Sequence, residues 1–146
     1  MVHCRRLLRL AGLALWIELA VCAGAALAAD ALAPLLSHAV VGNEEQVAVL
    51  LPAPEYSPPR IEVLAGDSPR VVADFRGIPA WRGPAVLELD SPLLRRVRAW
   101  LHQDEHRLRV VLDLAEDPAD LLVTHTYETQ GDTLRALLIL RRIGPR

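Results

Sequence analysis

Arg107-Leu108-Arg109-Val110-Val111-Leu112-Asp113-Leu114 sorts its side chains onto two sides of an extended chain. Leu108, Val110, Leu112 and Leu114 fall on one side, and Arg107, Arg109, Val111 and Asp113 on the other. This period-2 pattern describes a strand with one face on a core and the other toward polar surroundings. An earlier stretch repeats it. Arg70-Val71-Val72-Ala73-Asp74-Phe75 matches Arg109-Val110-Val111-Leu112-Asp113-Leu114 position for position. Apolar strand-like runs precede both copies, Ile61-Glu62-Val63-Leu64 in one case and Val97-Arg98-Ala99-Trp100-Leu101 in the other. Two half-domains of one design, side by side, are the most economical reading.

The segment that follows the second copy completes the pattern. Leu121 to Glu128 and Thr133 to Arg141 read as a hairpin around Gln130-Gly131-Asp132. Between the copies, Gly77, Pro79, Gly83 and Pro84 make an irregular loop carrying Trp81. Ala85 to Asp90 reads as a strand stopped by Ser91-Pro92, and Leu93 to Arg96 as one helical turn. About seven strands at this spacing predict an all-β fold, a small sandwich over residues 60–142.

The N-terminus reads as a targeting segment over residues 1–28. Arg5, Arg6 and Arg9 form a positive n-region, Leu10 to Ala28 is almost wholly apolar, and Ala26-Leu27-Ala28 is a small-x-small cleavage site. A cleaved signal peptide and a periplasmic product are expected. Because Glu18 interrupts a long apolar run, an uncleaved inner-membrane anchor facing the periplasm is the alternative. Residues 29–59 read as an Ala/Pro-rich linker, with a short apolar helix over Ala31 to Val41 and a short strand over Val47 to Leu51. Pro52, Pro54, Pro58 and Pro59 stiffen its end.

Composition limits the function classes. Cys4 and Cys22 both lie in the leader, so no disulfide or thiol chemistry is expected of the mature chain. Without residues 1–28, 13 Arg face 17 acidic residues, a net charge of −4 with His neutral. A mildly acidic chain with no aromatic-basic signature argues against nucleic-acid binding.

Residues 60–142 resemble an AMIN domain. This is the non-catalytic module of periplasmic N-acetylmuramoyl-L-alanine amidases, found also in the periplasmic part of type IV pilus secretins. The resemblance rests on Ile61-Glu62-Val63, Arg70 to Phe75, Val97-Arg98-Ala99, Arg107 to Leu114 and Thr133 to Ile139. It implies two pseudo-symmetric antiparallel sheets and attachment to peptidoglycan, with no catalysis and no cofactor. With four residues after Arg142, the expectation is a module without the zinc site of an amidase unit. An accessory of a pilus or secretin complex, docking by strand addition, is the alternative. A small enzyme ranks third.

The candidate residues follow the same weighing. His102 and His106 with Asp104 and Glu105 suggest a metal cluster, but they fall in a charged turn with no third spaced ligand, so no metal is expected. His125 reads as a partly buried polar residue within a strand. Ser91 has no His or Asp partner suggested by spacing, and catalytic residues are not expected. Asp74 and Asp113 suit Arg pairing across strands better than glycan cleavage. Arg98, Arg107 and Arg109 fall on the outer faces of neighbouring strands, and Trp100 shares the face of Arg98. Guanidinium forks bind carboxylates bidentately, and an indole offers a flat surface to a sugar. These four residues are the expected ligand-binding set. The plainer reading pairs the arginines with Asp113, Glu88 and Asp90 and uses the Trp rings to cap the core.

Overall fold

The computed structural model describes residues 35–52 and 57–144, so the leader read over 1–28 lies outside the described residues. Nine strands form within this range: β1 (Leu36–Val41), β2 (Glu44–Leu51), β3 (Arg60–Leu64), β4 (Arg70–Arg76), β5 (Val86–Glu88), β6 (Leu94–His102), β7 (Arg107–Leu114), β8 (Leu121–Gln130) and β9 (Thr133–Arg142). They make two antiparallel sheets, ordered β1-β2-β9-β8 and β3-β4-β7-β6-β5. Inner faces of both sheets close on one apolar core, which includes Val47, Val49, Leu138 and Leu140 from the first and Val71, Phe75, Leu108 and Leu112 from the second. The fold is an all-β sandwich.

The two sheets share a plan. Each joins two sequential hairpins through their second strands: β2 with β9 in the four-stranded sheet, β4 with β7 in the five-stranded one. The repeated sequence therefore does lie side by side, within a single sheet. Arg70 sits opposite Asp113, Val72 opposite Val111, and Asp74 opposite Arg109, so the copies are related by a local two-fold at the Val72–Val111 pair. Strand β5 adds a fifth member beyond β6.

Strand β7 has the predicted bounds and phase, with Leu108, Val110, Leu112 and Leu114 all buried. Val111 departs from expectation. It points away from the core yet is only 3 % exposed, and its partner Val72 is 8 % exposed. Arg98 stands opposite Val111 across the sheet, and long arginine stems cover apolar surface while their heads stay in water. The outer face thus has a small apolar centre of its own.

Three expectations are corrected. The segment 36–51, read as linker with a helix over Ala31 to Val41 and a short strand over Val47 to Leu51, supplies β1 in place of the helix and β2 over a longer span that includes the expected strand. Its Gly42-Asn43 turn, with Gly42 at φ +63°, closes a hairpin whose second strand pairs along its length with β9. Leu93 to Arg96 is not a helical turn. There β6 begins with a bulge, Leu94 facing Leu114 and Arg96 facing Asp113. The extra residue, Arg95, lets Leu93 and Leu94 both enter the core while Arg96 turns outward. His125 is exposed, because β8 is an edge strand.

Candidate functional site

The outer face of the five-stranded sheet gathers the expected ligand-binding set. Antiparallel register places Arg60, Asp74, Arg109 and Trp100 in one row across β3, β4, β7 and β6. Glu62, Val72, Val111 and Arg98 form the next row, and Leu64, Arg70, Asp113, Arg96 and Glu88 the one beyond it. Arg76, Arg107 and His102 close the opposite end. Seven arginines stand here against the carboxylates of Glu62, Asp74, Glu88 and Asp113 and, from the adjoining turn, Glu105. The whole chain carries a net −2, so this face, with seven arginines against five carboxylates, is locally positive on a chain that is negative overall.

Two aspartates organise it. Asp74 receives Arg109 bidentately, with Nε to Oδ1 and Nη2 to Oδ2 both 2.7 Å, and Arg107 Nη1 at 3.0 Å. The Arg109 hydrogen bonds hold the Asp74 carboxyl below the usual aspartate range against the opposing pull of burial, with Arg107 adding to the effect. Asp113 receives Arg98 Nη2 at 2.7 Å and Arg96 Nε. Burial pushes Asp113 up, and the hydrogen bonds from Arg96 and Arg98 outweigh it, so its carboxyl also lies low. The same contacts raise Arg109 and Arg96. The sequence repeat would pair Arg70 with Asp113 as Arg109 pairs with Asp74. Asp113 turns to β6 instead, and Arg70 forms no ion pair among the described residues.

The four expected residues are therefore brought together, but their donors are unequally committed. Arg109 spends its fork on Asp74, whereas Arg98 gives Asp113 only Nη2 and its Nε is buried with no partner among the described residues. Arg107 splits its donors between Asp74 and Glu105. Trp100 is 38 % exposed and donates from Nε1 to His102 Nε2 at 2.7 Å. Glu88 and Asp90, expected as Arg partners, make no ion pair with an arginine among the described residues. Trp100 does not cap the core, whereas Trp81 does. Trp81 lies against Gly83, where a Cβ would come within 2.2 Å of the indole, and it lines an apolar cavity of about 330 Å³ with Leu35, Leu50 and Pro79.

The turn between β6 and β7 has structural tasks for its polar residues. Gln103–Glu105 forms one 3-10 turn, His106 closes it in the left-handed region at φ 47°, and the His106 carbonyl accepts from Ile78 N–H at 2.9 Å. His102 is engaged by Trp100 and Glu105 by Arg107.

Sequence reasoning missed one polar cluster. Glu45, on the inner face of β2, is 2 % exposed. Its Oε1 accepts from Leu93 N–H at 2.6 Å and its Oε2 from Ser91 Oγ at 2.7 Å, and His38 Nε2 lies 2.9 Å from the same Oε2. This carboxylate ties the four-stranded sheet to the segment entering β6. Nucleophilic catalysis places the imidazole between hydroxyl and carboxylate. Here the carboxylate stands in the middle, so His38 is not positioned to take the Ser91 proton. His38 and Glu45 come from β1 and β2 and Ser91 and Leu93 from the segment entering β6, 48 positions apart at the widest bond, which no local motif reveals.

Comparison with known proteins adds no identity: no family model, no curated protein and no solved structure matches the chain.

Proposed function

We propose that the chain is a non-catalytic module of the bacterial cell envelope that binds peptidoglycan through the arginine face of the five-stranded sheet. The observation that carries this reading is the gathering of Arg107, Arg109, Arg98 and the exposed Trp100 ring on adjacent strands of an otherwise acidic chain. Wall peptides offer carboxylates to guanidinium groups, and wall sugars offer flat faces to an indole. The resemblance to AMIN modules supports the same reading, and the leader read over 1–28 would deliver the chain to the periplasm. The ion pairs with Asp74 and Asp113 hold the guanidinium groups in place rather than leaving them all free, so affinity for any one carboxylate is modest.

Purified protein should sediment with isolated sacculi at low salt, and less so as salt rises, because exposed charges are screened over about 10 Å at 0.1 M. Trp100→Ala combined with Arg107→Ala should lower the sedimented fraction with the β-type circular dichroism spectrum unchanged. Arg135→Ala, on the other sheet, serves as control. Wild-type protein that stays in the supernatant at every salt concentration rules wall binding out. A specific feature then favours the second reading, docking by strand addition: among the described residues β3 is an unpaired edge of its sheet, with Val63 and Leu64 exposed.

A further inference from the structure

The row at the turn end of the arginine face holds two positive side chains directly opposite each other. Arg76 of β4 faces Arg107 of β7, and Arg107 faces His102 of β6. Like charges directly opposite across strands destabilise a sheet. Arg107 is offset by Asp74 and Glu105, and Asp74 is already shared with Arg109. Nothing offsets Arg76: it is exposed and makes no ion pair among the described residues.

Donors at this end remain open. Arg107 uses Nε for Glu105 and Nη1 for Asp74, which leaves Nη2. An indole N–H can only donate, so His102 Nε2 must be the accepting nitrogen and the ring hydrogen sits on Nδ1. Nδ1–H thus faces its surroundings as a donor without a partner among the described residues. Glu105 shows what this end accepts. Its carboxylate, 60 % exposed, reaches Arg107 Nε at 2.7 Å from the solvent side, and that bond holds it below the usual glutamate range. A solvent-borne carboxylate is thus already on Arg107, supplied by the protein itself.

We propose that Arg76, Arg107 and His102 form a carboxylate subsite, that Glu105 occupies part of it in the free protein, and that the Trp100 ring lies beside it as a wall for the group carrying the carboxylate. The subsite extends the wall-binding reading and rests on it for the identity of the ligand. It also adds two residues, Arg76 and His102, that the arginine pattern of the strands did not single out. Binding exchanges the Glu105 carboxylate for that of the ligand, so Glu105 acts as an internal competitor.

The competitor gives the test its sign. The probe is a soluble muropeptide with free peptide carboxylates, titrated into the purified protein by calorimetry, beside the same muropeptide with those carboxylates amidated. Arg76→Ala should weaken binding of the free form about fivefold, and Glu105→Gln should tighten it about threefold, as expected for single charge-assisted contacts at a partly exposed site. The amidated form should bind about as weakly to wild type as the free form binds to Arg76→Ala. Unchanged affinity in both variants, or equal binding of the two muropeptides, overturns the subsite. Sacculus sedimentation separates the two readings. Sacculi bound normally by both variants, with muropeptide affinity unchanged, leave wall binding standing without this subsite. The expected muropeptide pattern in protein that never sediments with sacculi keeps the carboxylate subsite and removes the wall as its target.

Discussion

The outer faces of the two sheets, built on one hairpin-pair plan, solve the same problem differently. Both carry a buried apolar pair at the central seam: Val72 with Val111 in the five-stranded sheet, Ala48 with Leu137 in the four-stranded one. Around Val72 and Val111 stand the paired charges of Asp74, Arg109, Arg98 and Asp113. Around Ala48 and Leu137 stand Ser37, Thr126, Gln46 and Ile139, and charge appears only at the margins, in Glu44–Arg141 at 3.7 Å and Glu128–Arg135 at 3.1 Å. A one-residue slip of β4 against β7 would separate Asp74 from Arg109, so charge helps fix that register. In the four-stranded sheet turn geometry sets the register within each hairpin, since both close through two residues with a left-handed glycine, Gly42 and Gly131. Charge on one face takes part in pairing at the centre of the sheet; on the other it is confined to the margins.

The strongest way to break this comparison is to put a charge on the side of the seam where neither sheet has a partner for it. Leu112→Asp buries a carboxylate in the shared core and should cost about 3 kcal/mol or more, seen as loss of a cooperative urea transition. Thr124→Asp, on the exposed outer face of the four-stranded sheet, should stay within about 0.5 kcal/mol. Equal tolerance at the two positions would mean that the strand phases are wrong.

A smaller effect is expected where the four-stranded sheet does send a charge inward. Glu45→Ala leaves the buried Leu93 N–H without its acceptor, while the Ser91 hydroxyl turns to the Leu94 carbonyl at 2.9 Å, and should lower the urea unfolding free energy by about 2 kcal/mol. A change below about 0.5 kcal/mol would show that water replaces the carboxylate and that the sheets are not fastened there.

The smallest effect separates the two faces by pH. Asp74 and Asp113 have folded-state values below the unfolded one, so each stabilises the fold fully above the ordinary aspartate range. That contribution is lost as pH falls through about 4 and below. Asp74→Asn should cost about 1 kcal/mol at pH 7 and flatten the loss of stability between pH 5 and pH 2. Glu128→Gln on the other sheet should leave the neutral-pH stability within about 0.5 kcal/mol. An unchanged acid profile in Asp74→Asn would show that its ion pairs do not stabilise the fold.

Local alternation alone determined much of the five-stranded sheet. Strand β7 was legible to the residue, because a half-buried strand must alternate, and the Arg-Val-Val repeat marked β4 as its counterpart. The same alternation put Arg98, Trp100, Arg107 and Arg109 on one face. What only the tertiary structure decided depends on partners distant in sequence. Strands β1 and β2 sit in an Ala/Pro-rich segment whose apolar residues gain a core only when β9, some 90 positions later, pairs with β2; the apolar run Val47 to Leu51 and the Gly42-Asn43 dipeptide before it were the local signals. The burial of Val111 comes from arginines on a neighbouring strand, and the bulge at Arg95 from the need to bury both Leu93 and Leu94. The place of Arg76 beside Arg107 and His102, and the tie from Glu45 to Ser91, are consequences of register and sheet packing. Periodicity fixes which way a side chain points, but what it meets there is set by strands that folding brings from elsewhere in the chain.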